Sequence, residues 1–187
     1  MSAQHVARLS PEEYLRIDRA ADYRSEYVDG EMFAMSGGSN RHSFLITRLS
    51  KELQDAVEEA GCEVATATLR LQVDPKGPYF YPDLMVVCGD HSSELTDIVT
   101  NPILIVEVLS PSTERWDRTG KFDHYKRLKS LQQYVLVSQD EMRVEWFTRR
   151  ADGMWMYESA SGEEGVCTLR SINATFPLAR LYRRFNI

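Results

Sequence analysis

Two carboxylates in this chain sit where a carboxylate is costly. Asp83 follows Tyr81-Pro82 and opens the apolar run Leu84-Met85-Val86-Val87. Glu107 lies within Ile103-Leu104-Ile105-Val106-Glu107-Val108-Leu109. A charge in such surroundings must be paired or must bind a metal. The next segment has helical spacing and carries Asp117, Lys121 and Tyr125 four residues apart, hence on one face. Two anions from adjoining strands and one cation from the following helix could share a Mg²⁺ ion, which favours a few carboxylates, a backbone carbonyl and water. Such an ion polarises a phosphoryl oxygen and lowers the pKa of water, which is phosphodiester-hydrolysis chemistry. A nearby lysine would hold the water or neutralise developing charge. The plainer alternatives are an exposed ion-pair ladder for Asp117, Lys121 and Tyr125, an internal salt bridge from Glu107 to an arginine such as Arg70, and a simple turn role for Asp83.

The elements that must position these residues can be read from the pattern. Ser10-Pro11-Glu12-Glu13 starts a helix that runs to about Ala21. Tyr27 to Phe33 reads as a hairpin turning at Asp29-Gly30. The loop Ser36-Gly37-Gly38-Ser39-Asn40 caps a helix over about residues 41–59, with Phe44, Leu45, Leu49, Leu53 and Val57 at helical spacing. Strands are expected over Cys62–Val73, Tyr79–Cys88, Pro102–Leu109 and Tyr134–Ser138, the third nearly continuous in apolar residues, as in a central strand covered on both faces. A loop with one helical turn is expected over His91–Thr100, and a helix over about Thr113–Ser130. Turns at Gln139-Asp140-Glu141 and Ala151-Asp152-Gly153 lead into further strands, and Val166–Phe185 carries one or two short strands and a helical turn near Leu178–Tyr182. The sum is a single α/β domain over 1–187, with a four- to five-stranded mixed sheet flanked by helices. Its core spans about 24–148, with an N-terminal helix at 10–21 and a β extension at 149–187.

Composition narrows the function. With 187 residues, 43% hydrophobic and 27% charged, the chain can bury one good core. Three scattered cysteines with no Cys-x-x-Cys pair argue against a disulfide framework or zinc ribbon and favour a reducing, cytoplasmic setting. Met1–Arg8 lacks the apolar stretch of a signal peptide, and the longest apolar run is too short to span a bilayer. A net charge of −6 disfavours a non-specific nucleic-acid coat, although a local basic cluster can act within an acidic chain. Arg70, Arg115, Arg118, Lys126, Arg127 and Lys129 could form such a cluster or simply be solvated. Trp116 could stack on a base, though packing between helix and sheet is the simpler expectation. No Walker loop, dinucleotide fingerprint or nucleophile elbow is present.

Tyr81-Pro82-Asp83, the run Val106 to Thr113, Asp117…Lys121…Tyr125 and Gln133 to Val137 resemble the Uma-two family. This is a bacterial group assigned as endonucleases within the PD-(D/E)XK, restriction-endonuclease-like superfamily. Glu26 to Gly37 followed by His42 is similar to that family's N-terminal block. The resemblance covers about Leu9–Phe147 and implies a Mg²⁺-dependent DNA endonuclease, with Mn²⁺ as a substitute ion and a homodimer as the working unit. It makes Asp83 and Glu107 metal ligands, with the carbonyl of Val108 between Glu107 and the position expected to hold lysine. That position is Leu109, so the resemblance assigns the ammonium to Lys121. It places Glu31 as a further ligand and His42 as a group holding a phosphate or carboxylate. The other reading is a protein that kept the fold, lost turnover, and binds nucleic acid or serves in assembly.

Overall fold

In the computed structural model, which describes residues 8–89 and 97–187, Pro82 divides the strand expected over Tyr79–Cys88. Tyr79–Phe80 pairs in one sheet and Leu84–Cys88 in another, and Asp83 sits in the corner between them. Proline has no N–H to give a ladder and fixes its own φ, so the break falls where chemistry predicts. The strand expected over Cys62–Val73 is likewise two, split by a turn at Thr66–Leu69.

In chain order the strands are β1 (Ser25–Val28), β2 (Glu31–Ala34), β3 (Cys62–Thr66), β4 (Arg70–Gln72), β5 (Tyr79–Phe80), β6 (Leu84–Cys88), β7 (Ile98–Val99), β8 (Pro102–Val108), β9 (Gln133–Val137), β10 (Arg143–Arg149), β11 (Trp155–Ser161), β12 (Val166–Leu169) and β13 (Ala174–Pro177). The helices are α1 (Pro11–Ala20), α2 (Asn40–Val57), α3 and α4 (Leu178–Tyr182). Helix α3 is composite: an α turn at Glu114–Trp116, a π turn at Asp117–Lys121 and an α turn at Phe122–Tyr125. It stops at Tyr125, short of the expected Ser130, because from Arg127 on the amides bond three residues back rather than four and Leu128 and Leu131 turn inward. The loop expected from His91 lies outside the described residues as far as 96, after which Ile98–Val99 forms β7.

The main sheet has six strands in the order β11-β10-β9-β8-β6-β3, with β8 parallel to β9 and antiparallel to β6. A second sheet, β2-β1-β5-β4-β7, and the ribbon β12-β13 complete a fold richer in sheet than the four to five strands expected. Strand β8 shows why its run is almost wholly apolar. Leu104, Val106 and Val108 face a core shared with Leu45, Leu49, Leu53 and Val57 of α2 and with β12, β13 and α4. Ile105 and Leu109 face the opposite core, with Tyr125, Leu128, Tyr134 and Leu136. Side chains alternate along a strand, so Glu107 points with Ile105 and Leu109 towards α3. Phe44 does not share the buried stripe of α2; it is exposed.

Helix α1 starts with the expected capping box, in which Ser10 and Glu13 exchange hydrogen bonds. Its buried Asp18 accepts from Arg70, from the Ser25 amide at 2.8 Å and from the Tyr81 hydroxyl at 2.5 Å. Arg70 is therefore committed to Asp18 and Asp97, not to Glu107. The β1–β2 hairpin turns at Asp29-Gly30, with φ of 50° and 87°, as a two-residue turn of left-handed residues requires. Cys62 and Cys88 are directly paired on β3 and β6 and form a disulfide, contrary to the expectation from their spacing. Sequence distance could not show that two edge residues 26 positions apart would face each other. The cysteines therefore no longer support a reducing compartment. Among the described residues no helix is long and apolar enough to cross a membrane.

Candidate active site

The sheet register brings the two acidic residues together. Leu84 pairs with Val106, so one step further along the antiparallel pair Asp83 comes beside Glu107. The Asp83 amide points at Glu107 Oε2 at 3.4 Å, and the Val108 amide donates to Asp83 Oδ2 at 2.7 Å. Helix α3 crosses the same face and lowers Lys121 onto the pair. Its Nζ lies 3.2 Å from Glu107 Oε1, 3.3 Å from Asp117 Oδ1 and 2.8 Å from Glu26 Oε1. Tyr125 donates its hydroxyl to Glu107 Oε1 at 2.8 Å. Asp117, Lys121 and Tyr125 are thus a buried constellation rather than an exposed ladder. Glu107 is 3% exposed, Asp117 2% and Lys121 5%.

The π turn that carries Asp117 and Lys121 is a rare conformation, enriched at functional sites. It is held from outside by Arg118, which donates to Glu114 at 2.8 Å and to Glu145 of β10 at 2.6 Å. From inside, the Asp117 carbonyl accepts from the Tyr134 hydroxyl at 2.9 Å. Leu109, where the resemblance expects lysine, is 4% exposed and packed in the apolar core beneath α3. The cation comes instead from the helix above.

His42 stands in the first turn of α2, whose N-cap is Ser39. Its Nε2 lies 3.3 Å from Asp83 Oδ2, and the ring also reaches the Val108 carbonyl. Asp83 raises the imidazole above its usual value and outweighs burial, which lowers it. The ring is seated on Gly38, where a Cβ would stand 2.7 Å from Nδ1. Glu31 does not join this group: it lies on the exposed edge strand β2. The carboxylate that the hairpin contributes is Glu26, on β1. A paired-strand register puts Tyr27 opposite Met32 and leaves Glu26 facing the core, while Glu31 at the turn faces solvent. No local pattern separates Glu26 from Glu31 in the hairpin, and only the tertiary fold shows which glutamate is near Lys121.

Burial pushes the Glu107 carboxyl well above the usual range, and Lys121 opposes it; Asp117 is raised for the same reason. Four carboxylates, Glu26, Asp83, Glu107 and Asp117, face one lysine and one histidine. Asp117 Oδ1 is buried without a hydrogen-bond partner among the described residues, its neighbour Lys121 being poorly aligned. An anionic surplus with an orphaned carboxylate oxygen, lined by the hard oxygens of Asp83, Glu107 and the Val108 carbonyl, matches the donor chemistry of Mg²⁺. Among the described residues no three His, Cys, Asp or Glu side chains form a ligand group by themselves, so protein ligation would rest on two carboxylates, the carbonyl and water.

A mixed sheet with an acidic pair at a strand corner and a lysine over it defines a nuclease-like protein. The family model described as "Putative restriction endonuclease", Uma2, matches residues 11–177. The chain belongs to this family. It is 36% identical over 176 residues to the uncharacterized Synechocystis sp. protein slr1290, covering 94% of this chain and 92% of that protein. A second uncharacterized protein of the same organism, sll1609, is 35% identical over 83% of this chain and 89% of its own length. The crystal structure of "a putative nuclease belonging to DUF820" from Anabaena variabilis superposes with a TM-score of 0.76 over 93% of this chain and 97% of that one. At 17% identity it shows a shared fold.

Proposed function

We propose that this protein is a divalent-metal-dependent endonuclease that hydrolyses DNA phosphodiester bonds. One observation carries the reading: Asp83 and Glu107 from neighbouring strands and the Lys121 ammonium from α3 meet in one buried cluster. Family membership supports a nucleic-acid substrate. Asp83, Glu107 and the Val108 carbonyl would hold Mg²⁺, or Mn²⁺ in its place, which supplies Lewis acidity to a phosphoryl oxygen and a lowered pKa to water.

The chain's own groups set the rest. Lys121 is held by Glu26 and Glu107 and is poorly aligned with Asp117, which leaves one N–H for the attacking water or for charge developing on the phosphate, where a buried ammonium is far more effective than one in water. Glu26 and Asp117 fix the position of that ammonium, and Tyr125 fixes the Glu107 carboxylate. His42 sits against Asp83, where its imidazole competes with an ion for the carboxylate. A homodimer belongs to the same reading, and sedimentation of the purified protein tests it.

The test is incubation of supercoiled plasmid with the protein in EDTA, Mg²⁺ or Mn²⁺, beside Asp83→Ala and Lys121→Met. Nicked or linear product that needs the ion and disappears in both variants is expected. Product that persists in Asp83→Ala would sink the assignment. Binding of nucleic acid without cleavage by the intact protein would favour the alternative, a nuclease fold that binds nucleic acid or serves in assembly.

A further inference from the structure

Trp116 does not pack between helix and sheet. It is 40% exposed, at the start of the π turn that presents Asp117 and Lys121. Its indole lies across Gly120, so closely that a Cβ there would stand 1.8 Å from the ring. Glycine inside a helical segment costs about 1 kcal/mol relative to alanine. Here the missing side chain gives a large aromatic a flat seat on the outside of the site helix. The far edge of the ring meets His124 at 6.3 Å between centroids; His124 in turn lies 5.6 Å from Phe80, whose face is 6.0 Å from Lys121 Nζ. The indole is therefore two rings, His124 and Phe80, away from the site ammonium, fixed on one side and open on the other.

Its neighbour Arg115 is also exposed, and it has no ion-pair partner among the described residues. The other cations of α3 are taken: Arg118 by Glu114 and Glu145, Lys121 by three carboxylates. In a chain of net charge −6, phosphate neutralisation alone is a weak source of nucleic-acid affinity. An immobilised indole with an exposed guanidinium next to it in the chain supplies another source, base stacking with a phosphate contact one residue away.

We propose that Trp116 and Arg115 form the subsite for an unpaired nucleobase and its adjoining phosphate, and that the chain accordingly prefers a strand with accessible bases at the cut: a single strand, flap or unpaired segment. This deepens the nuclease reading and rests on it for the cut, but not for the binding. A duplex keeps its base faces stacked on each other and offers nothing for the indole to cover.

The experiment measures binding in EDTA, where cleavage cannot contribute. Labelled 20-nucleotide single strands and the matching duplex are titrated by anisotropy, with tryptophan fluorescence read in parallel. Tighter single-strand binding that quenches the emission is expected, and Trp116→Leu should weaken it on the order of tenfold, as loss of one stacked base does. Trp116→Phe should keep most of the affinity, and Gly120→Ala, which unseats the ring, should lose it. Thermal unfolding of each variant separates a lost contact from a lost fold. Equal affinity for the two nucleic acids, or unchanged single-strand binding by a folded Trp116→Leu, overturns the proposal. Quenching by single strands in a protein that cuts nothing leaves it standing and removes the nuclease reading instead. Cleavage indifferent to Trp116→Leu, in KM as in kcat, does the reverse.

Discussion

Replacing Lys121 by methionine keeps the length of the side chain and removes only the charge. The ammonium stands 2.8, 3.2 and 3.3 Å from Glu26, Glu107 and Asp117. At an effective dielectric of 20 each such pair is worth about 5 to 6 kcal/mol of gross attraction. Desolvating the charges offsets several kcal/mol per ion, so the attractions do not sum to a stability. The net loss is set by what remains: Glu107 and Asp117, both almost fully buried, facing each other without a cation. Stripping one partner from a buried ion pair costs about 3–5 kcal/mol. Against a total stability of about 5–15 kcal/mol, Lys121→Met should fold but be marginal. For a chain of this size the midpoint should fall by about 6–20 °C. Calorimetry and urea unfolding in EDTA measure the shift. Glu26→Gln in the Lys121→Met background removes one of the surplus anions and should return part of the loss, a coupling that a double-mutant cycle reads directly. Mg²⁺ should return more, because the ion replaces the missing positive charge. If Lys121→Met unfolds with the unaltered protein in EDTA, the buried cluster is not held by this cation and the site as described is wrong.

Other outcomes follow from single features. Burial raises Glu145, but hydrogen bonds from Arg118, Tyr157 and Arg143 outweigh it and leave its carboxyl below the ordinary value. A depressed carboxyl adds stability that is full above the unfolded value, near 4.5, and vanishes as pH falls through the folded one. Glu145→Gln should therefore be less stable than the unaltered protein by about 2 kcal/mol at pH 7, with the gap closing at the acid end of a urea-unfolding series; a gap constant with pH would refute this. Gly38→Ala puts a Cβ 2.7 Å from the His42 ring and must displace it. Since His42 occupies two of the atoms proposed for the ion, calorimetric Mn²⁺ affinity should rise; a fall would instead make the imidazole a ligand. Non-reducing peptide mapping should recover the Cys62 and Cys88 peptides joined, while Cys167, whose thiol burial pushes up to about 12, should resist alkylation until the chain unfolds.

Asp83, Glu107, Lys121, Asp117 and Tyr125 were legible in the sequence because each breaks a local rule or shares a helical period. A carboxylate inside an apolar run and polar groups spaced four apart need no long-range information to stand out. The elements around them were legible for similar reasons: the Ser10 capping box, the Asp29-Gly30 turn and the α2 stripe are patterns within about ten residues. The division of Tyr79–Cys88 between two sheets was not, although Pro82 marked the place, because periodicity does not say with which partner a strand will pair.

Residue types and their spacing set the chemistry available: two anions, a cation, their order in the chain, and the period that aims Glu107 and Lys121. Tertiary structure alone decided which glutamate of the hairpin reaches Lys121, that Leu109 is core and α3 supplies the ammonium, that Arg70 serves Asp18, and that Cys62 faces Cys88. It also decided that Trp116 lies open on Gly120. These are contacts between residues far apart in the chain, fixed by sheet register and by how α3 crosses the sheet. Local propensity constrains neither, since both follow from which buried surfaces fit together once every element has formed.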